Sequence, residues 1–380
     1  MKLSHPPRLW TRDLHGHRRV TWLELFFDLI FVAAVAQVGQ PLAHDYTAAG
    51  LVRHGFLFVL IWWAWSGHTA FVTRFDHDDA ISRILLLVQC FIAAVMAANA
   101  KEGLESVSAA GFGAAYAGMR VVLVAQYLRA RSVPETRDLT TRYAAGFGAA
   151  AIIWIVSALL DAPARYWVWA LALTIDFATP WLSTKHAMRF PPDACHYPER
   201  FGLFTIILFG EFVACVMRGI ESQEDWSFPA ATTAFSGMAF AFILRWWYFD
   251  VARGADERHV RSQRQARWFD VWQYAHLPLF LGVAVAGVGF ERMISHEGGG
   301  WILCGAVGVS TSALAWIGAT RHGIDRRLWA QLGLSMGTIG LGIAAPHIDR
   351  VVLSLFLLTT CGAQTMLGVQ APPAAVRRAA

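Results

Sequence analysis

Residues 22–34 read WLELFFDLIFVAA. The stretch is apolar enough to enter a bilayer, yet it carries Glu24 and Asp28. Four residues apart on a helix, these carboxylates share one face, one turn above the other. A charge at the centre of a membrane span costs about 3 kcal/mol or more. Two on one face demand partners on other helices or a wet cavity.

The remaining sequence is built to supply such surroundings. Of 380 residues, 56% are hydrophobic and only 16% charged, against roughly 25% in soluble domains. Mean hydropathy is +0.42. Apolar runs separated by short basic loops place twelve spans at about 20–40, 52–72, 81–99, 107–128, 143–160, 164–182, 199–218, 229–249, 270–290, 301–319, 328–345 and 350–370, each long enough for a bilayer core. The fold expected is all-α and polytopic. It comprises a basic cytoplasmic segment 1–19, a transmembrane domain 20–370 and a cytoplasmic tail 371–380.

Charge orients these spans. Of the 32 lysines and arginines, 24 fall in alternate segments beginning with the N-terminus, six in the intervening ones, and Arg120 and Arg245 inside spans. By the positive-inside rule, both termini are expected to be cytoplasmic. The net charge of +5 is accounted for by that rule and implies no nucleic-acid partner. No apolar signal core precedes Val20. The five cysteines form no CxxC pair, so neither a disulfide framework nor a zinc site is expected. No nucleotide-binding or hydrolase motif is seen, and no cofactor is expected.

Short likenesses link the two halves of the chain, 20–182 and 199–370. Glu24-Leu25-Phe26 opens span 1 and Glu199-Arg200-Phe201 opens span 7. Ile61-Trp62-Trp63-Ala64-Trp65 lies in span 2 and Arg245-Trp246-Trp247-Tyr248-Phe249 in span 8. Six spans per half put the halves in one orientation, as in carriers built from parallel repeats.

The candidate proton- or substrate-binding residues are Asp28, Glu211, Glu24, Arg245, His276, Asp176 and Arg120. Two close carboxylates in a low-dielectric setting repel, so one tends to hold a proton; the structural alternative is pairing of Glu24 with Arg18, Arg19 or an arginine of another span. Glu211 lies twelve residues beyond Glu199, about 18 Å deeper, and reads as an unaccompanied buried acid with no charged neighbour within its helix, Gly202 and Gly210 allowing close backbone approach. Glu199–Arg200 reads as a helix-mouth anchor. Arg245 reads either as a snorkelling interfacial residue or as the countercharge of Asp28 or Asp250. His276, beside Pro278, suits a proton relay or a hydrogen bond to the carbonyl the proline frees. Most of these groups could share one cytoplasmic vestibule. Arg74-Phe75-Asp76-His77-Asp78-Asp79 is read as a hydrated loop, not a metal site.

WLELFFDLIFV with Gln37, PERFGLFTIILFGE, RWWYFD and YAHLPLFLGVAVAGVG together resemble the motifs of the bacterial low temperature requirement protein A family, over nearly the whole chain. The resemblance implies a polytopic inner-membrane protein linked by name to growth in the cold; it supplies no substrate. The residues themselves point to a proton-coupled secondary transporter of a small organic or amphipathic solute, with membrane lipids as surroundings. The rivals are a membrane enzyme using Glu24, Asp28 and His276 as acid–base groups, and a structural or sensory protein responding to bilayer state. The transporter reading makes an enzyme the lesser expectation and leaves the oligomeric state open.

The charge asymmetry predicts that reporter fusions after Arg137 and Arg261 read cytoplasmic and one after Glu224 reads external. A cytoplasmic reading at Glu224 overturns the twelve-span arrangement.

Overall fold

The computed structural model describes residues 7–10, 20–76, 79–100, 106–225, 227–295 and 298–369. The expected terminal segments 1–19 and 371–380 therefore lie outside the described residues, apart from 7–10. Twelve long helices follow one another: α1 (Trp22–His44), α2 (Ala48–Val72), α3 (Ala80–Ala100), α4 (Ser106–Ala130), α5 (Arg137–Ser157), α6 (Ala164–Leu182), α7 (His196–Glu221), α8 (Phe228–Trp246), α9 (Gln263–Ile294), α10 (Gly300–His322), α11 (Arg326–Leu341) and α12 (Arg350–Val369). A four-residue helix, Thr184–Ala187, lies between α6 and α7. Two-residue strands β1 (Arg8–Leu9) and β2 (Phe75–Asp76) pair antiparallel.

Ten of these helices, α1–α5, α7–α10 and α12, are long and apolar enough to cross a membrane. The chain is a multi-pass membrane protein. α11 stops at Leu341, short of the expected edge near 345, where Gly342 leads into a 3-10 turn at Ala345–His347 containing Pro346; proline has no amide hydrogen to continue the helix.

Local chemistry sets the helix starts. Thr21 and Glu24 form a capping box on α1: the Thr21 hydroxyl accepts from the Glu24 amide, and the Glu24 carboxylate accepts from the Thr21 amide and hydroxyl. Asp193 accepts from the amides of Cys195 and His196 at the start of α7. Ser227, Ser262 and Asp325 cap α8, α9 and α11. Each cap satisfies amides that have no partner inside the helix.

The chain divides into two compact units. The first holds Met1–Pro41, Val52–Arg200 and Glu257–Val260; the second holds Leu42–Leu51, Phe201–Asp256 and Arg261–Ala380. In the first, α3 to α6 pack in succession. Phe71, Tyr127, Tyr143 and Phe147 form its main aromatic core. In the second, α9 to α12 pack in succession and α8 lies against α12. Phe212, Phe240 and Phe290 stack there within 6 Å of one another.

Outward faces are apolar, as lipid contact requires. On α3, Ile84, Leu87, Val88 and Phe91 are exposed while Gln89, Cys90, Ala93 and Met96 are buried. Trp22, Trp167, Trp181 and Trp329 are exposed at helix ends, where indoles sit at the lipid–water boundary.

Two glycines set the approach of α10 to its neighbours. A Cβ at Gly282 of α9 would lie 2.4 Å from Ser310 Oγ, and one at Gly308 of α10 would lie 2.4 Å from Ile339 Cγ1 and 2.7 Å from the Ser335 carbonyl. Overpacking costs ~1–3 kcal/mol or more. Gly308→Val should lower the thermal unfolding midpoint of the detergent-solubilised protein by several degrees. Gly305→Ala, whose Cβ would meet nothing within 4 Å, should leave it unchanged. Equal midpoints would show that α10 does not depend on that close approach.

Candidate functional site: a buried carboxylate–arginine–histidine cluster

The capping box that starts α1 also aims Glu24 inward, and one turn later Asp28 follows on the same face. Facing them, the first turns of α7 carry His196 and Arg200, again four residues apart. All belong to the first unit. Arg200 Nε donates to Asp28 Oδ2 at 3.0 Å and Nη2 to Asp28 Oδ1 at 2.5 Å. Trp65 Nε1 of α2 donates to the same Oδ1 at 2.7 Å. Glu24 Oε1 lies 3.1 Å from His196 Nε2 and 3.5 Å from Arg200 Nη1. Asp28, Arg200, His196 and Trp65 have no exposed surface, and Glu24 is buried.

The arrangement answers the cost of intramembrane charge. Asp28 accepts two bonds from one guanidinium fork and a third from an indole, which is the strong form of ion pairing. Glu24 shares that guanidinium less closely and has the imidazole as its nearer partner. Among the described residues, two carboxylates meet one guanidinium and one imidazole. Arg18 and Arg19, the other partners expected for Glu24, lie outside the described residues.

The register carries topological information. Glu24 meets His196 and Asp28 meets Arg200, so contacts rise along both helices together and α1 runs parallel to the start of α7.

The other expected residues fall in separate places. Arg120 and Asp176 form a second buried pair in the first unit: Arg120 Nε donates to Asp176 Oδ2 at 3.1 Å, and Tyr116 donates its hydroxyl to the same oxygen at 3.2 Å. The guanidinium lies over the Tyr116 and Phe147 rings. This joins α4 to α6 as a neutral unit. His68 stacks on Phe27 at 4.3 Å.

In the second unit, Arg245 is half-exposed and pairs with Asp250 at 2.8 Å. Of the two countercharges expected for it, Asp250 is the one found, while Asp28 has Arg200. His276 has partners of its own: Nδ1 lies 2.7 Å from the Trp272 carbonyl and Nε2 2.9 Å from the Tyr248 hydroxyl. The carbonyl is thus Trp272's, four residues back, rather than that of Tyr274, four residues before Pro278. Nδ1 donates there, and Tyr248, within a π-helical turn at Trp247–Val251, donates to Nε2.

Glu211 departs from expectation most. It has a charged neighbour on its own helix, Arg218, whose Nη2 donates to Glu211 Oε1 at 3.1 Å while Nε donates to Glu291 Oε2 at 3.2 Å. The Glu211 side chain is 20% exposed, so it is not a solitary buried acid. A Cβ at Gly202 would meet Ala255 at 2.6 Å, whereas Gly210 has nothing within 4 Å; close approach occurs at the first glycine only. Within each unit, these polar groups therefore have local partners.

Arg200 was taken for a helix-mouth anchor because it neighbours Glu199 in sequence. It is the central cation instead. The readable signal is spacing: a basic pair four residues apart, His196 and Arg200, matches the acidic pair Glu24 and Asp28. Thr21-x-x-Glu24 was likewise legible as a capping box. Among the described residues no group of three or more His, Cys, Asp or Glu side chains could hold a metal. His77 and Asp78 of the acidic loop lie outside them, and Asp79 pairs with Arg129.

Fold and site together define a multi-pass helical membrane protein with an occluded ionisable cluster at the start of its first and seventh helices. Residues 19–367 match the family described as Bacterial low temperature requirement A protein (LtrA), and the chain belongs to that family. A relative in Rhizobium meliloti (strain 1021), titled "Uncharacterized protein RA0937", is 28% identical over 291 residues, 73% of this chain and 70% of its own length.

Removing one partner of a buried ion pair costs ~3–5 kcal/mol, because the other charge is stranded. Arg200→Gln should accordingly destabilise the protein by about that amount. Asp28→Asn placed in the same chain should restore a large part of it, since no buried charge is then left against an amide. Additive losses in thermal or denaturant unfolding would show that the two residues do not act as a pair.

Proposed function

We propose that this protein is a proton-coupled secondary transporter of a small organic or amphipathic solute in the bacterial inner membrane, with both termini in the cytoplasm. The observation that carries the reading is the buried cluster itself. Glu24, Asp28, Arg200 and His196 are buried together, and the Glu24 carboxylate lies 3.1 Å from the His196 imidazole, so the two groups can share a proton. Intramembrane ionisable groups commonly mark such relays.

The roles differ from those read in the sequence. Asp28, held by Arg200 and Trp65, is the fixed anion that keeps the guanidinium in place. Glu24 and His196 are the exchanging pair. A proton held on His196 strengthens its attraction to Glu24, and one passed to Glu24 removes the attraction of that carboxylate for Arg200 and His196, loosening α1 from the start of α7; proton transfer within the pair is thereby tied to helix movement. Glu211, with Arg218 and Glu291, is a second, partly exposed acidic station further along α7. The rival of a membrane enzyme working through Glu24 and Asp28 is less favoured, because both carboxylates are enclosed by protein partners, leaving no surface for a substrate bond. A proton needs no such surface.

The test uses everted membrane vesicles from cells with and without the protein, loaded externally with a total metabolite extract under an imposed pH gradient. At least one solute should differ in vesicles bearing the wild-type chain, and the difference should vanish with a protonophore. His196→Gln and Glu24→Gln should reduce gradient-driven movement by tenfold or more while leaving protein abundance similar. Unchanged coupling in both variants, or solute differences indifferent to the gradient, would overturn the proposal.

A further inference from the structure

A separate cleft lies wholly in the second unit. It is lined by Trp247 and Val251 of the π-helical turn, by Gly318 and His322 at the end of α10, by Arg327 and Gln331 of α11, and by Gly368 near the end of α12. Three features bear on its ligand. The first is Arg327. Among the described residues its guanidinium makes no ion pair, and its Nη1 is sealed from solvent with no hydrogen-bond partner. An interfacial arginine that merely snorkels keeps its whole head in water; Arg327 is partly buried, with that one nitrogen shielded. A shielded cationic nitrogen without a partner calls for an anion.

The second feature is the frame. A carboxylate, Asp325, also lines the cleft; its Oδ1 caps the helix, accepting from the amides of Arg327 and Leu328. Gln331 donates Nε2 to the Gln364 carbonyl at 2.9 Å, which holds α11 against α12 beside the cleft. The start of α11 adds the positive end of a helix dipole. The third feature is the lack of bulk. A Cβ at Gly318 would find only Ala252, at 3.8 Å, whereas one at Gly368 would collide with Val251 at 2.5 Å. The opening is thus kept by small residues on two helices. Apolar side chains flank the same turn, with Ile324 56% and Trp329 62% exposed.

We infer that the cleft bounded by Trp247, Gly318, His322, Arg327, Gln331 and Gly368 binds the phosphate group of an anionic ligand, with Arg327 as its countercharge. A planar guanidinium pairs with phosphate through two parallel bonds. The group is carried either by a phospholipid whose chains lie along Ile324 and Trp329, or by a soluble phosphate compound entering from the aqueous side. The site is independent of the Glu24–Arg200 cluster and of the transport reading.

The full chain, purified in detergent, serves for the test, with inorganic phosphate as one probe. The second probe is reconstitution into phosphatidylcholine vesicles with and without one-fifth phosphatidylglycerol, followed by native mass spectrometry of retained lipid. Loss of a charge-assisted pair is worth roughly tenfold or more in affinity. Arg327→Gln should weaken whichever probe binds by at least that factor. Gly318→Val, which fills the cleft without removing charge, should do the same. Retention of phosphatidylglycerol by the wild type but by neither variant supports the inference with lipid as the source. Phosphate-induced thermal stabilisation of the wild type alone supports it with a soluble source. Should Arg327→Gln fail to fold, Gly318→Val decides. Equal behaviour of wild type and folded variants towards both probes overturns the inference.

Discussion

The bond between Asp28 and Arg200 is the interaction on which the organisation of the first unit turns. Neither charge is tolerable alone in an apolar helix bundle. Together, with Trp65 supplying a third donor to the carboxylate, they form a closed arrangement that fixes three elements: α1, α2 and the start of α7. Because the guanidinium is planar and its donors fork, it sets rotation as well as distance. That sets where Glu24 points, and Glu24 in turn reaches His196. The local capping of α1 by Thr21 and the capping of α7 by Asp193 bring both pairs to the first turns of their helices. Secondary structure and charge pairing therefore support one another at the same point of the chain.

A recurrent device governs the other polar intrusions. Arg120 is matched by Asp176 and Tyr116, Arg245 by Asp250, Arg218 by Glu211 and Glu291, and His276 by Tyr248 and a backbone carbonyl. Balanced pairs such as Arg120–Asp176 are suited to holding helices together. The clusters in which two carboxylates meet one arginine among the described residues are different in composition. The Glu24–Asp28–Arg200 cluster is buried and adjoins an imidazole, whereas the Glu211–Arg218–Glu291 cluster is partly exposed. This difference in access and composition underlies the choice of the former as the proton site.

Motif arithmetic could have taken the reading further than composition did. Glu199-Arg200 is adjacent in sequence and invites the view of a local pair, but adjacent helical residues point about 100° apart. Residues four apart share a face, and that relation pairs His196 with Arg200 just as it pairs Glu24 with Asp28. Trp65 illustrates a harder case. Its indole lies in an aromatic run that reads as an interfacial belt or a packing stripe. Only the placement of α2 beside α1 makes its nitrogen a donor to Asp28.

Hydrophobic run length and loop charge determined the polytopic helical class by themselves, because a bilayer imposes a fixed thickness and an obligation to satisfy every backbone group within the span. The positions of the helices followed to within about seven residues at either end, for the same reason. The presence of costly charges in spans was equally plain, as was the likeness to the family that the chain belongs to. Which charges meet was not determined there. The partners of Asp28 and Glu24 are 172 residues away, and apolar faces with similar composition can be apposed in many ways. The tertiary structure alone decided that Arg200 and not Arg245 neutralises Asp28. It decided too that Glu211 keeps a charged neighbour and that Arg327 is left without one. Pairing of ions is a short-range matter of ångströms, and the sequence specifies it only through the packing of every helix in between.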